Sequence, residues 1–236
     1  MSDGHPDNRV DESPSEHTAR DLSRIARGLY GDASFIARTL AAWRPYICPF
    51  EVLVRAVPMG SRVLDVGCGS GLFAALLAAS GRAREVVGFD TSRGAIAAAD
   101  AMKGRLPEGA AALSFCVVDA GDAWPGGEDG TGGFDVVSIV DVMHHLPKGI
   151  RRDVVKRACG RVRAGGVFLY KDMCRRPLWR RGMNRMHDLV MARQWIDEEP
   201  IGNIEAWARA EGMELVRSER INRWWYGHDL RVFRRP

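Results

Sequence analysis

The sequence predicts an α/β protein built on a largely parallel sheet of seven strands. Two observations carry that expectation. From Arg62 onward, short apolar runs alternate with stretches of helical periodicity, the pattern of repeated strand–helix units. One such junction, Val63 to Gly71, passes from an apolar strand through three closely spaced glycines into a small-residue helix, where sheets of this class bind ligands.

The elements follow in order. Residues 1–17 are polar, contain proline and are poor in large apolar side chains, so they read as a disordered tail. A helical cover spans 18–58, with Leu22, Ile25, Ala26 and Leu29 on one stripe and Phe35, Ile36, Leu40 and Trp43 on a second. Pro45 and Pro49 are expected to interrupt it, and Pro58-Met59-Gly60 closes it. In the core, residues 59–172, strands are predicted at Val63–Val66, Glu85–Phe89, Leu113–Val118, Phe134–Val140 and Gly166–Tyr170. Helices Leu72–Ala79, Ala95–Met102 and Lys148–Cys159 lie between them, and Gly121–Gly133 reads as a surface loop. Residues 173–200 form a helical insertion. The rest, 201–236, holds a helix at Ile204–Glu211 and two strands, Met213–Ile221 and Asp229–Phe233, joined through Trp224 to Gly227.

Composition narrows the class. With 46% hydrophobic and 27% charged residues among 236, the chain reads as a single globular domain behind its tail. No apolar run approaches the ~18 residues of a membrane span. The acidic start is unlike a secretory signal. Five cysteines without CxxC spacing point to reduced thiols, and together these features predict a cytoplasmic protein. The net charge of +4 is concentrated in arginines between Arg175 and Arg185 and between Arg217 and Arg235. No nucleic-acid motif accompanies them, so a solvated basic surface is expected and nucleic acid is not an expected partner.

The glycine junction carries the chemistry. Gly67, Gly69 and Gly71 are spaced GxGxG, not GxGxxG, and Asp65 stands two places before the first of them. Glycines allow backbone conformations and approaches that a side chain forbids. An acid at Asp65 repels a pyrophosphate and attracts a cationic amino group, which counts against a nicotinamide dinucleotide.

The segment Leu64-Asp65-Val66-Gly67-Cys68-Gly69-Ser70-Gly71 resembles the first motif of the class I, Rossmann-like S-adenosylmethionine-dependent methyltransferases. Val86 to Asp90, Val117 to Ala120, Phe134 to Pro147 and Arg163 to Leu169 are similar to that family's later motifs, in its order and spacing. The resemblance implies a doubly wound sheet with helices on both faces, an antiparallel last strand, and S-adenosyl-L-methionine as cofactor. It implies that Asp65, Gly67, Cys68, Gly69 and Gly71 surround the methionine end, and that Asp90, with Thr91 beside it, accepts from the ribose hydroxyls. Asp119 would accept from the adenine amine while Ala120 offers its amide, and Asp141 is counted with the same site.

On the acceptor side the candidates are His144 and His145, either of which suits a general base for a hydroxyl. His-His is frequent at this place in the family, so a structural role stays open. His187 is a further candidate base. It lies in the 173–200 insertion, which with Trp179, Met183, Met186 and Trp195 is read as a lid over an apolar acceptor. Asp141 lacks the Asp-Asn partner of metal-using members, so no metal is expected. The favoured activity is O-methylation of a small metabolite or natural-product intermediate. A macromolecular acceptor held by the basic C-terminal third, and a non-catalytic cofactor-binding scaffold, stay open as alternatives. No feature sets an oligomeric state.

Overall fold

The structure, a computed structural model, describes residues 17–126, 133–174, 198–224 and 226–236. The expected tail apart from His17, most of the 173–200 insertion with His187, and Trp225 lie outside the described residues.

The cover begins with α1 (Ala19–Leu29), whose start is a reciprocal capping box between Thr18 and Asp21. Its stripe buries Leu22, Ala26 and Leu29. α2 (Phe35–Ile47) runs on through Pro45, where a break was expected. An interior proline removes one N–H and clashes with the carbonyl four residues back, at a cost of about 3 kcal/mol. Pro45 falls in the final turn, and that turn is held from outside. The Ile47 carbonyl accepts from His228 Nε2 at 2.7 Å, while the local bond from the Cys48 N–H to the Arg44 carbonyl is kept at 2.7 Å. A short α3 (Phe50–Ala56) completes the cover.

Seven strands follow: β1 (Ser61–Val66), β2 (Ala83–Asp90), β3 (Ala112–Val117), β4 (Phe134–Val140), β5 (Val162–Met173), β6 (Glu214–Arg223) and β7 (Tyr226–Arg234). Their order is β3-β2-β1-β4-β5-β7-β6, and only β7 runs against its neighbours. Both members of the final hairpin are longer than the sequence suggests. Their ladder continues to Arg223↔Tyr226, so the joint is tighter than Trp224 to Gly227. Trp224 takes a left-handed φ of 55° there.

The helices α4 (Leu72–Ala79), α5 (Arg93–Lys103), α6 (Lys148–Gly160) and α7 (Ile201–Ala210) divide between the two faces. Val63 and Val86 point to the face covered by Leu22, Leu53, Phe73, Leu76 and Met102. Leu64, Val137 and Phe168 point to the face covered by Val154, Ala158, Ile204 and Ala208. Adjacent residues of a buried strand thus serve opposite cores, which is why these strands read as unbroken apolar runs. From β1 the chain winds to β2 and β3 on one side, then returns to β4 on the other. That reversal opens a crevice at the carboxyl ends of β1 and β4. Among the described residues no helix is long and apolar enough to cross a membrane.

Candidate active site

The crevice is a cavity of about 460 Å³, within the range of small-molecule sites. Its first wall is the turn after β1. Gly67 has φ 68° and Gly69 φ 54°. A Cβ on Gly67 would sit 2.6 Å from Val142 Cγ2, so this glycine is required by both its conformation and its packing against the segment after β4. The Gly69 N–H donates to Asp90 Oδ2 at 2.9 Å, and the Ser92 N–H donates to Asp90 Oδ1 at 2.8 Å. Asp90, at the end of β2, therefore ties the glycine turn to the next loop while each oxygen keeps a lone pair for a ligand. From outside, the Tyr30 hydroxyl donates to the Ser70 carbonyl at 2.5 Å, which fastens the cover to the same turn. Gly71 caps α4 with φ 80° behind the wall. Cys68 and Thr91 complete this side.

Asp65 lies under the turn, almost wholly buried, and accepts from Ser138 Oγ at 2.7 Å. Burial pushes its pKa up to about 7, the Ser138 hydrogen bond opposes that, and the negative Asp90 adds to it. Ala120 and Val118 line the cavity, but Asp119 does not, because its Oδ1 accepts from the Gly121 N–H at 3.0 Å in its own loop. The reason is that β3 ends at Val117, so Asp119 belongs to an Asx-type turn and not to the strand end.

The opposite wall is charged. Asp141 follows β4 in a left-handed conformation, φ 59°, with its N–H donating to the Lys171 carbonyl at 2.9 Å. Its Oδ1 accepts from Lys171 Nζ at 2.6 Å and its Oδ2 from Arg44 Nη2 at 3.3 Å. Burial works against the carboxylate, yet Lys171 and then Arg44 hold it well below the usual carboxylate range. Burial likewise works against the charge on Lys171, and Asp141 outweighs it. His228 on β7 stands near this pair. Burial, with Lys171 adding to it, lowers its pKa to about 3, so it is neutral and its Nε2–H serves the Ile47 carbonyl.

The two histidines separate. They sit in a 3₁₀ turn, Met143–His145, with ring centroids 4.0 Å apart. His145 is exposed and lines the cavity. His144 is buried and does not, because both its backbone N–H and its Nδ1 engage the Asp172 carboxylate. His144 thus fastens the turn to β5, which corrects its expected place on the acceptor wall. Lys171 and Asp172 stand behind the wall as buried supports. Arg44 was missed altogether, having no signal in an arginine-rich chain. Lys171 had one: a lysine that ends the apolar run Val167 to Tyr170, paired with Val140, which Asp141 follows. Among the described residues no group of three His, Cys, Asp or Glu side chains is placed to hold a metal ion.

Residues 35–218 match the family described as "Methyltransferase domain". The ubiquinone biosynthesis O-methyltransferase of Pseudomonas aeruginosa is 30% identical over 179 residues, covering 68% of each chain. The protein of the same name from Ralstonia nicotianae is 33% identical over 117 residues, of which the match spans only 44% of its length. Among solved structures, magnesium protoporphyrin IX methyltransferase of Synechocystis PCC 6803 with bound SAH superposes with a TM-score of 0.64 at 17% identity, covering 89% of this chain and 92% of that one. The last likeness shows the fold, and with the family match and the Pseudomonas relative the chain belongs to the class I, S-adenosylmethionine-dependent methyltransferase family.

Proposed function

We propose that this protein transfers the methyl group of S-adenosylmethionine to an oxygen of a small-molecule acceptor. The observation that carries the reading is one cavity lined both by the Gly67–Gly69 turn clasped by Asp90 and by the exposed imidazole of His145, with Asp141 and Arg44. When bound, the cofactor supplies an electrophilic methyl carbon on a sulfonium that leaves as a neutral thioether. Asp90 accepts from the ribose hydroxyls with the lone pairs its backbone donors leave over. Asp65 faces the amino group of the methionine end, and Val118 and Ala120 meet the base. The turn carrying His145 is fixed through His144 and Asp172, so its ring is presented at a set place. His145 takes the proton of the acceptor hydroxyl on an imidazole nitrogen as the new oxygen–carbon bond forms and the carbon–sulfur bond breaks. The relatives named as O-methyltransferases support oxygen as the accepting atom.

Calorimetric titration with S-adenosylmethionine, and separately with NAD, tests the cofactor. Micromolar binding of the first alone is expected, and NAD binding in its place overturns the reading. His145→Ala is expected to lower turnover about a hundredfold, with cofactor affinity within a factor of about two. Equal losses in both would move His145 into the cofactor site.

Asp65 makes the binding pH-dependent. With a free-protein pKa of about 7, it is mostly protonated at pH 6. An ammonium beside it favours the ionised form, so binding at pH 6 releases a proton and affinity rises as the pH is raised through 7. Titrations at pH 6 in two buffers of different ionisation enthalpy are expected to show release approaching one proton, vanishing at pH 8.5 and in Asp65→Asn. Absence of release at pH 6 in the unaltered protein would place the amino group elsewhere. The same raised pKa makes this carboxyl's contribution to folding fall as pH rises from about 4 towards 7, because the folded state holds the proton more tightly.

A further inference from the structure

We propose that the outer surface of the helical cover docks on an anionic membrane surface. The observations behind it are independent of the cavity and its chemistry. α1 and α2 lie side by side, with Ser23 Oγ donating to the Ala42 carbonyl at 2.7 Å. Outward, α2 presents Phe35, Thr39 and Trp43, each one turn after the last and so on one stripe. Phe35 is 73% exposed and Trp43 51%. Leu40, 42% exposed, lies one turn before Trp43. The Trp43 ring meets that of Trp224 edge-on, with centroids 6.4 Å apart. Trp224 comes from the β6–β7 turn, is 63% exposed and holds the left-handed φ of 55°, which a bulky side chain adopts rarely. Two elements far apart in sequence thus bring large apolar side chains to one place and leave them largely in water, the mark of a surface that meets a partner.

The rim of this patch is basic. Arg20, Arg24 and Arg27 follow at helical spacing along the exposed side of α1, opposite Leu22, Ala26 and Leu29. Arg27 and Arg38 line, with Phe35, Thr39 and Trp43, a groove of about 360 Å³ between the two helices. The Arg38 guanidinium stands 5.9 Å from the centre of the Phe35 ring. Residues 17–58 contain the acids Asp21, Asp32 and Glu51, and each already has a cation, in Arg24, Arg105 and Arg223. Among the described residues no carboxylate pairs with Arg20, Arg27 or Arg38. That uncompensated charge decides the occupant. A second copy would set arginines against arginines. A protein partner would need a pocket for each protruding ring, whereas an acyl layer yields around them. Rings sinking to the head-group level and guanidiniums staying with the phosphates is the arrangement of a peripheral membrane contact. The groove suits one lipid phosphate between Arg27 and Arg38.

The test uses the full chain and two sets of vesicles, phosphatidylcholine alone and phosphatidylcholine with about one-third phosphatidylglycerol, read by co-sedimentation. The anionic set is expected to bind about tenfold or more tighter at low salt, and to lose most of that advantage at high salt. Arg27→Gln with Arg38→Gln is expected to weaken binding to the anionic set about tenfold or more. Phe35→Ser with Trp43→Ser is expected to lose about as much, through the apolar area that no longer leaves water. Arg152→Gln with Lys156→Gln removes the same charge from exposed positions of α6, on the other face of the sheet, and is expected to stay within about twofold. Circular dichroism establishes that each variant is folded, and the arginine pair decides the matter if the aromatic pair is not. Equal binding to both vesicle sets, no binding to the anionic set, or an equal loss in the α6 variant overturns the proposal. So does a dimer in sedimentation velocity that Phe35→Ser with Trp43→Ser abolishes while vesicles go unbound, since a second copy would then cover this face.

Discussion

Asp90→Ala is expected to weaken binding of S-adenosylhomocysteine by roughly 10²- to 10⁴-fold. Two vicinal hydroxyls donating to one ionised carboxylate make two charge-assisted hydrogen bonds, each worth about 1.5–3 kcal/mol. Their sum, about 3–6 kcal/mol, corresponds to that range of affinity. The substitution also releases the N–H groups of Gly69 and Ser92, which Asp90 holds at 2.9 and 2.8 Å, so the glycine turn loses its brace along with the ligand contact. Asp90→Asn keeps one acceptor oxygen and should fall between. Calorimetric titration reads the affinity, and circular dichroism shows that the variant is folded. Affinity within threefold of the unaltered protein would put the ribose elsewhere.

Lys171→Met is expected to act on stability more than on cofactor binding. The side chain is fully buried, and its methylenes are matched by methionine, so the lost packing is small. What remains is the Asp141 carboxylate, almost enclosed, with the half-exposed Arg44 at 3.3 Å as its nearest cation. Removing one partner of a buried ion pair costs about 3–5 kcal/mol, because the survivor is left uncompensated. For a chain of this size that lowers Tm by roughly 6–20 °C. Asp141 has a folded-state pKa below its unfolded value, so the Lys171–Asp141 contribution is present above about pH 4 and is lost as the pH falls further. The penalty in Lys171→Met should therefore shrink in acid. A second substitution, Asp141→Asn, removes the stranded charge while tolerating φ 59°, and is expected to recover part of the loss. Thermal and urea unfolding of both variants decide it; a single variant within about 1 kcal/mol of the unaltered protein would show that the pair contributes little.

The half of the site nearest β1 and β2 could be read from the chain because its parts are local. Asp65, Gly67, Gly69 and Asp90 lie within one strand–turn–helix–strand passage, and their conformations are demanded by glycine itself. The strand count and the order of elements were readable for the same reason, as short apolar runs alternating with helical stripes, whereas the antiparallel last strand followed from the family resemblance. The other half is assembled from α2, β4, β5 and β7, so Arg44, Asp141, Lys171 and His228 meet only through tertiary structure. Pro45 misled because the helix end it disturbs is held by His228, distant in sequence. Asp119 was expected just past a strand ending at Val118, whereas β3 stops at Val117 and one Asp119 oxygen accepts within its own turn. His144 and His145 were indistinguishable on paper, and only the position of Asp172 decides which ring faces inward.

β7 follows the other described elements in chain order, yet it lies inside the sheet between β5 and β6 and is buried along nearly its whole length. Until it is synthesised, β5 has an open edge and β6 has no strand to pair with. The imidazole that steadies the end of α2 is also missing, because His228 is carried by β7. Assembly must therefore close a contact between residues 47 and 228, which is the kind of long-range step that makes folding slow. The nucleotide-type half draws on elements that precede β7, while the charged wall waits for β7 itself. A product cut short before β7 would thus be a partial sheet with an unprotected edge, open to pairing with another chain, and without the support that sets Arg44 in place.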